Sequence, residues 1–404
     1  MTAFTGNLTV LLFSYVCYNI RMIRVQGNTL FDDDSFSNSL DFNSEYFVSH
    51  LITYLGNKRR LLPFINSGIE IAKQKLGKKE ITALDGFSGS GVVARLLKYH
   101  TSELISNDFE QYTKTINTAY LTNKSSVDKK RLADAINYLN SNKTKRTGSD
   151  YFITNNYAPK NDNDIKPGER AFYTHKNAEI IDNIRYLIEH DIDEDLKIFC
   201  LAQLIIKASI HNNTSGVFKG FHKKNGIGHF GGAGENALVR ILGEITLDVP
   251  IFADKENKTT VYCEDTNELV KNIGPVDLAY YDPPYNQHPY GSNYFMLNII
   301  NGGKPVAIQD GVSGIAEDWQ RSAYNKTLPA EQAMDDLISN TPAKYILISY
   351  NNEGIIPIEK FQEIVSKHGE WELLEQEYNT YRGSRNLRAR SNKVQELLWL
   401  IKKY

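Results

Sequence analysis

Cysteine is scarce in this chain, and neither sign of charge prevails. Cys17, Cys200 and Cys263 are the three cysteines in 404 residues. They form no Cys-x-x-Cys pair, which excludes a disulfide framework and points to a reducing, cytoplasmic setting. No His/Cys cluster has metal-ligand spacing, so no metal is expected, and His222 and His229 in a glycine-rich stretch read as polar loop residues rather than ligands. With 46 basic and 48 acidic residues the formal net charge is −2, so global charge offers no attraction toward nucleic acid. Long apolar runs are absent too. Leu8 to Ile20 falls short of the ~20 residues that cross a bilayer, and it lacks the basic start and small-residue cleavage site of a secretory signal. No internal repeat is present.

What the chain does have is a continuous apolar run, Val276 to Tyr281, that leads into Asp282-Pro283-Pro284-Tyr285. Such a run predicts a strand buried on both faces, and open α/β sheets seat ligands beyond the carboxyl ends of such strands. The residues after it suit methylation of a planar exocyclic amine, whose lone pair is delocalised into the ring and therefore a poor nucleophile. Asp282 is expected to accept one amine hydrogen and the Pro283 carbonyl the other, turning the nitrogen toward a tetrahedral shape, while Tyr285 stacks on the base. Pro283 and Pro284 fix φ and remove N–H donors, so the turn presents acceptors without competition. Alone, the motif is equally consistent with a proline-rich turn that closes a strand.

Upstream, Glu80 to Leu84 runs into Asp85-Gly86-Phe87-Ser88-Gly89-Ser90-Gly91 and then Val92 to Leu97, a strand, glycine loop and helix. Gly89 and Gly91 let the backbone approach a ligand, and the following helix offers unpaired N–H groups. This is not the GxGxxG of a dinucleotide fold. Its Asp-x-Phe-x-Gly-x-Gly form suits S-adenosylmethionine, with the ammonium paired to Asp85 beside Phe87 and the carboxylate on backbone donors. Asp108 closes a short apolar run about 20 residues further on, the spacing at which a carboxylate grips ribose hydroxyls; the alternative is a helix cap. Before the loop, Tyr54-Leu55-Gly56-Asn57-Lys58 precedes an apolar helical stretch from Leu61 to Leu76. Lys58 is expected to neutralise the cofactor's carboxylate, with Tyr54 and Asn57 beside it, and the competing reading is a basic helix start on a solvated face.

In order and spacing, these motifs, together with Asn107-Asp108 and Tyr262-Cys263-Glu264-Asp265, resemble those of Dam-like (alpha group) DNA adenine-N6 methyltransferases, over most of the chain from about Phe47 onward. The resemblance implies a mixed, mainly parallel, Rossmann-like α/β sheet with flanking helices, S-adenosylmethionine as cofactor, and double-stranded DNA as partner. It further implies Asp265 at the cofactor's adenine amine and a functional pairing with a restriction endonuclease. Two departures stand in the loop, where the family often has proline and alanine at the positions of Gly86 and Ser88. Neither position carries a side-chain role, so only loop geometry is in question.

The expected organisation is an N-terminal extension over residues 1–46, without defined structure and with Met22 as a candidate true start. A first catalytic part follows over 47–110, a mostly helical target-recognition insert over 111–258, and a second catalytic part with a C-terminal antiparallel hairpin over 259–404. In the insert, Lys219, His222, Lys223 and Lys224 alternate with aromatics and glycines, a composition that suits a loop lying along DNA. Arg382, Arg385, Arg388, Arg390 and Lys393 form a second basic stretch, with no acid between Tyr378 and Gln395, that suits phosphate contact. The competing readings are a helical lid over the cofactor and a solvated hairpin. The pocket chemistry by itself also admits cytosine N4, adenine in RNA, or an inactive DNA-binding protein with this fold, and the motif order favours adenine in DNA.

Overall fold

The computed structural model describes residues 21–25, 40–49, 51–52, 55–379 and 393–404. Its strands are β1 Arg21–Val25, β2 Ile81–Asp85, β3 Thr101–Asn107, β4 Lys223–Lys224, β5 Ile227–Gly228, β6 Lys258–Tyr262, β7 Val276–Tyr281, β8 Ala343–Asn351, β9 Gly369–Asn379 and β10 Lys393–Lys403. An 8-stranded sheet runs β1-β9-β10-β8-β7-β2-β3-β6, and β4-β5 form a separate hairpin. Neighbours from β8 through β7, β2 and β3 to β6 are parallel. β10 joins β8 antiparallel, β9 joins β10 in the same sense, and β1 pairs with β9 through Met22↔Leu374. The sheet is therefore mixed and mainly parallel, as the resemblance implies. The C-terminal hairpin forms as expected, whereas the extension departs from expectation by supplying an edge strand.

Burial follows sequence pattern. All of β7 is buried, as its unbroken apolar run requires. In β10, Leu398 and Leu400 face one side of the sheet and Leu397, Trp399 and Ile401 the other, the alternation of a strand covered on both faces. Helices Leu62–Leu76 and Val92–His100 fill the first side. Helices Thr327–Asn340 and Ile358–Ser366 fill the second. Pro63 opens helix Leu62–Leu76, where its missing N–H costs nothing, and Gly77 at φ 64° closes it with a left-handed cap.

A further core belongs to the helical insert. Helices Gln111–Leu121, Lys129–Asn142, His175–Asp191 and Glu194–Ile210 pack around Ile116, Leu132, Ile184 and Leu204. The same core takes Tyr294, Phe295, Leu297 and Ile300, from the segment that follows the Asp-Pro-Pro-Tyr turn. By packing, this segment joins the insert rather than the second catalytic part to which its sequence position assigned it.

Candidate active site

β2 and β7 are adjacent and parallel, with Asp85 level with Tyr280. Asp85 and Asp282 thus lie at the carboxyl ends of neighbouring strands, and the Gly86 N–H donates to the Tyr280 carbonyl at 3.0 Å. At this edge opens a cleft lined by Asn57, Lys58, Phe87, Gly89, Asp108, Asp265, Asp282 and Pro284. Its far wall is Tyr290, Gln320, Ser322 and Tyr324. The stretch from Gln320 to Tyr324 carries no recognisable motif, and nothing local in the sequence marks it as part of the site.

The glycine loop is tied on both sides. Ser88 Oγ lies 2.7 Å from Ser106 Oγ and donates to the Asn107 carbonyl at 2.9 Å, so this hydroxyl pins the loop to β3. A Cβ at Gly86 would come within 2.5 Å of Tyr281 and 2.8 Å of Thr266, which explains locally why no larger residue stands there. Gly89 N–H donates to Asp108 Oδ2 at 2.8 Å and Glu110 N–H to Asp108 Oδ1 at 3.0 Å. Asp108 therefore shapes the loop and caps the next turn, and it also lines the cleft. Burial raises its pKa, against these N–H donors.

Gly91 opens helix Val92–His100 at φ 77°, and a Cβ there would stand 2.1 Å from Asn117 Oδ1. Asn117 Nδ2 in turn donates to the Gly89 carbonyl at 3.3 Å. Gly91→Ala is expected to cost about 1–2 kcal/mol for the left-handed backbone alone, with the displaced Asn117 adding to it. A thermal melt of the cofactor-free variant, lower by several degrees than the parent, checks this; an unchanged Tm contradicts it.

Asp85 is fully buried, and among the described residues neither carboxylate oxygen has a hydrogen-bond partner in good geometry. Burial, then the charges of Asp282 and Asp108, hold its pKa well above the usual carboxylate range, against a weaker pull from the Phe87 and Ala94 N–H groups. A buried acid left unsatisfied at the start of a loop that lines the cleft fits a cationic ligand group. Asp265 caps the turn Thr266–Leu269 through Asn267 N–H at 2.9 Å and lines the cleft, while Glu264 is held by its backbone to the Asn107 side chain. Phe87 packs edge-on against Tyr281 and Tyr324.

Lys58 departs from expectation. Its ammonium lies 3.1 Å from Asp282 Oδ1 and 3.1 Å from Glu396 Oε1, so it is committed to two protein carboxylates rather than held out for the cofactor's. Burial alone would lower its pKa, but Asp282 and Glu396 outweigh burial and hold it well above its ordinary value. The Asp282 carboxyl is pushed up to about 6, by burial first and by Glu396, against Lys58. Asn57 caps the short turn Lys58–Leu61 and reaches Ser90 Oγ at 3.5 Å, bridging the lysine loop to the glycine loop. Tyr54 lies outside the described residues. Tyr285 packs edge-on against Tyr350 with Lys58 Nζ 5.0 Å from its ring, and its carbonyl accepts from Ile355 N–H at 2.9 Å. Pro283 is buried in the turn. Tyr290 Oη donates to the Leu55 carbonyl and Leu55 N–H to Tyr294 Oη, each at 2.8 Å, so the loop after the Asp-Pro-Pro-Tyr turn clasps the lysine loop.

The basic segments divide. Lys219, Lys223 and Lys224 are exposed, the last two on the β4-β5 hairpin, whose Asn225 and Gly226 have φ 52° and 83° as an Asn-Gly hairpin turn requires. His222 is turned partly inward, its ring against Gly232. Phe218 N–H donates to the Asn293 carbonyl at 2.7 Å and seats this loop beside the covering segment of the cleft. Lys393 opens β10 opposite Asn379, while Arg382, Arg385, Arg388 and Arg390 lie outside the described residues. Cys200 and Cys263 are free thiols. Among the described residues no group of His, Cys, Asp or Glu is placed to hold a metal ion, and no helix is long and apolar enough to cross a membrane.

Comparison with known proteins agrees with this geometry. A family model described as D12 class N6 adenine-specific DNA methyltransferase matches residues 54–364. The type II methyltransferase M.NlaIII of Neisseria lactamica is 30% identical over 367 residues, covering 87% of this chain and 99% of that protein. The type II methyltransferase M.CviAII of Paramecium bursaria Chlorella virus 1 is 28% identical, over 87% of this chain and 98% of its own. Modification methylase LlaI of Lactococcus lactis subsp. lactis is 27% identical over 87% of this chain and 55% of its own length. With a glycine loop and an Asp-Pro-Pro-Tyr turn at one cleft and a family match across most of its length, the chain belongs to the D12 class of N6 adenine-specific DNA methyltransferases.

Proposed function

We propose that this DNA adenine methyltransferase takes its methyl group from S-adenosylmethionine and delivers it to an adenine turned out of one particular duplex sequence. The observation that carries this reading is the meeting of two elements at one cleft: the buried Asp85 and the lysine-held Asp282 end adjacent parallel strands, and Phe87, Ser88 and Gly89 of the glycine loop line the cleft together with Asp282. S-adenosylmethionine supplies a sulfonium-activated methyl group. Asp85 receives its ammonium, Asp108 its ribose hydroxyls and Asp265 its adenine amine, with Phe87 as the apolar wall.

Turning a base out of the duplex costs a few kcal/mol of stacking and pairing, part of which Tyr285 recovers by stacking. Asp282 Oδ2 and the Pro283 carbonyl each accept one N6 hydrogen, which frees the nitrogen lone pair for attack. As the new carbon–nitrogen bond forms and the methyl–sulfur bond breaks, its electron pair staying on sulfur as a neutral thioether, positive charge grows on N6, and a fixed carboxylate and carbonyl stabilise that charge more than the neutral amine. With its pKa raised to about 6, Asp282 is basic enough to take the proton that N6 sheds and release it to water. No covalent enzyme intermediate is needed.

Lys219, Lys223 and Lys224 supply phosphate contacts from the insert. Replacing all three by alanine is expected to lower the slope of log K against log salt by about 2–3, at ~0.9 per phosphate contact, with an unchanged kcat at saturating DNA. An unchanged slope in a fluorescence-anisotropy titration removes them from the interface. The relatives' names, type II methyltransferase and modification methylase, support a role in marking DNA against a companion endonuclease. Incubation with labelled S-adenosylmethionine and mixed-sequence plasmid, followed by nucleoside mass analysis and mapping, tests the whole reading. N6-methyladenine at one short sequence is expected; N4-methylcytosine, or methylation of RNA alone, overturns it.

A further inference from the structure

One buried acid has no part in the roles above. Glu396 lies on β10, two strands away from the strand that leads to Asp282, and its side chain is wholly buried. Ser349 Oγ of the intervening β8 donates to Glu396 Oε1 at 2.5 Å, and Lys58 Nζ approaches the same oxygen at 3.1 Å. Glu396 Oε2 is sealed from solvent without a hydrogen-bond partner. The next residues on that face of β10, Leu398 and Leu400, are apolar and pack into the core. A half-satisfied carboxylate in such a row is costly to bury. It is also not needed to neutralise Lys58, because Asp282 is already 3.1 Å from the same ammonium.

We propose that Glu396 is a positioning residue for methyl transfer: it takes up the charge of Lys58, so that the ammonium holds Asp282 Oδ1 in place without cancelling the negative charge Asp282 presents to N6. The inference rests on the reading of Asp282 as the group that holds N6. With Asp282 alone, Lys58 forms a neutral pair at the point where positive charge must grow. With Glu396 the cluster carries one net negative charge, which favours that growth in a site of low dielectric. Among the described residues, the other titratable groups around Asp282 are Asp85 from β2, Tyr280 from β7, Tyr285, and Tyr290 from the covering loop. Around Glu396, Asn351 and Gln376 on the flanking strands bear no charge, and Lys58 is its counter-ion among the described residues.

Glu396→Gln keeps the shape and an acceptor for Ser349 while it removes the charge. In the cofactor-free protein, carbon-13 NMR can follow the Asp282 carboxyl, identified by its loss in Asp282→Asn. Its titration is expected to move to lower pH in Glu396→Gln, because a repelling neighbour is gone. The kcat is expected to fall about 10- to 100-fold, below the ~10²–10³ for loss of a group that itself touches the developing charge because Glu396 acts through Lys58, with little change in the KM for cofactor. Lys58→Met strands two carboxylates together and is expected to be the worse single change. The double variant Lys58→Met/Glu396→Gln restores the parent's net charge and is expected to regain activity over Lys58→Met. A parent-like titration and kcat in a folded Glu396→Gln overturn the proposal. Should that variant not fold, a double variant no more active than Lys58→Met overturns it instead. Full activity in Asp282→Asn would sink the role of Asp282 itself; an inactive Asp282→Asn beside a parent-like Glu396→Gln sinks the Glu396 inference alone.

Discussion

Asp282→Ala is expected to stop methylation, with a loss of about a thousandfold or more in kcat, while S-adenosylmethionine still binds. The figure is that of a preorganised group aimed at a developing charge, ~10²–10³ for one such contact, increased because the loss also brings the Lys58 ammonium, then paired with Glu396 alone, to face the charge growing on N6. Methyl incorporation in a single turnover reads the first effect and calorimetry the second. Loss of both together would show that Asp282 supports the cofactor site rather than the base. In the parent, burial and Glu396 push the Asp282 carboxyl up to about 6, against Lys58. The carboxylate is the form that accepts the N6 hydrogen, so kcat should fall as pH drops through that value and level off above it. A kcat flat down to pH 5 contradicts the assignment.

Asp85→Asn carries the other large effect, and it acts in two directions. Affinity for S-adenosylmethionine should fall on the order of a hundredfold, as for the loss of one partner of a buried charge pair. Yet the cofactor-free variant should melt higher than the parent. The parent buries a carboxylate with both oxygens unpartnered and its pKa held well above the ordinary range. A group whose folded pKa is raised contributes stability below its unfolded value, and that contribution is lost as pH climbs through the folded one. An amide removes this penalty at neutral pH. The same raised pKa implies that cofactor binding expels a proton, because the arriving ammonium favours the carboxylate. Calorimetry in buffers of differing ionisation enthalpy should find proton release in the parent and less in Asp85→Asn. A variant that both binds poorly and melts lower would make Asp85 a structural residue.

Much of the site was legible because its pieces are local. The glycine loop, Asp108 at the end of the next strand and the Asp-Pro-Pro-Tyr turn each lie within a few residues of the strand that positions them, so each announces itself by spacing. The parallel order that brings β2 beside β7 followed from the resemblance and not from any periodicity. Glu396 was hidden for the opposite reason. It precedes the apolar run Leu397 to Ile401 and reads as an exposed strand end until β8 and β9 are seen to flank it on both sides. The available signal was an acid in register with Leu398 and Leu400, on a strand whose two faces are both apolar. Lys58 misled in a related way, because a lysine beside a cofactor loop suits an anion, and only the fold shows two carboxylates waiting for it. The Gln320 to Tyr324 wall and the edge strand β1 depend on pairings across the chain that no short window of residues carries.

The helical insert shares its core with Tyr294, Phe295, Leu297 and Ile300, which the chain reaches only after leaving the Asp-Pro-Pro-Tyr turn. On the reading of this insert as the target-recognition part, grafting a relative's specificity onto this scaffold therefore means transplanting two stretches, not one. A chimera that exchanges the insert but keeps the native residues beyond the turn would set mismatched side chains against each other directly behind the base pocket, and would lose catalysis before its choice of DNA word was ever tested.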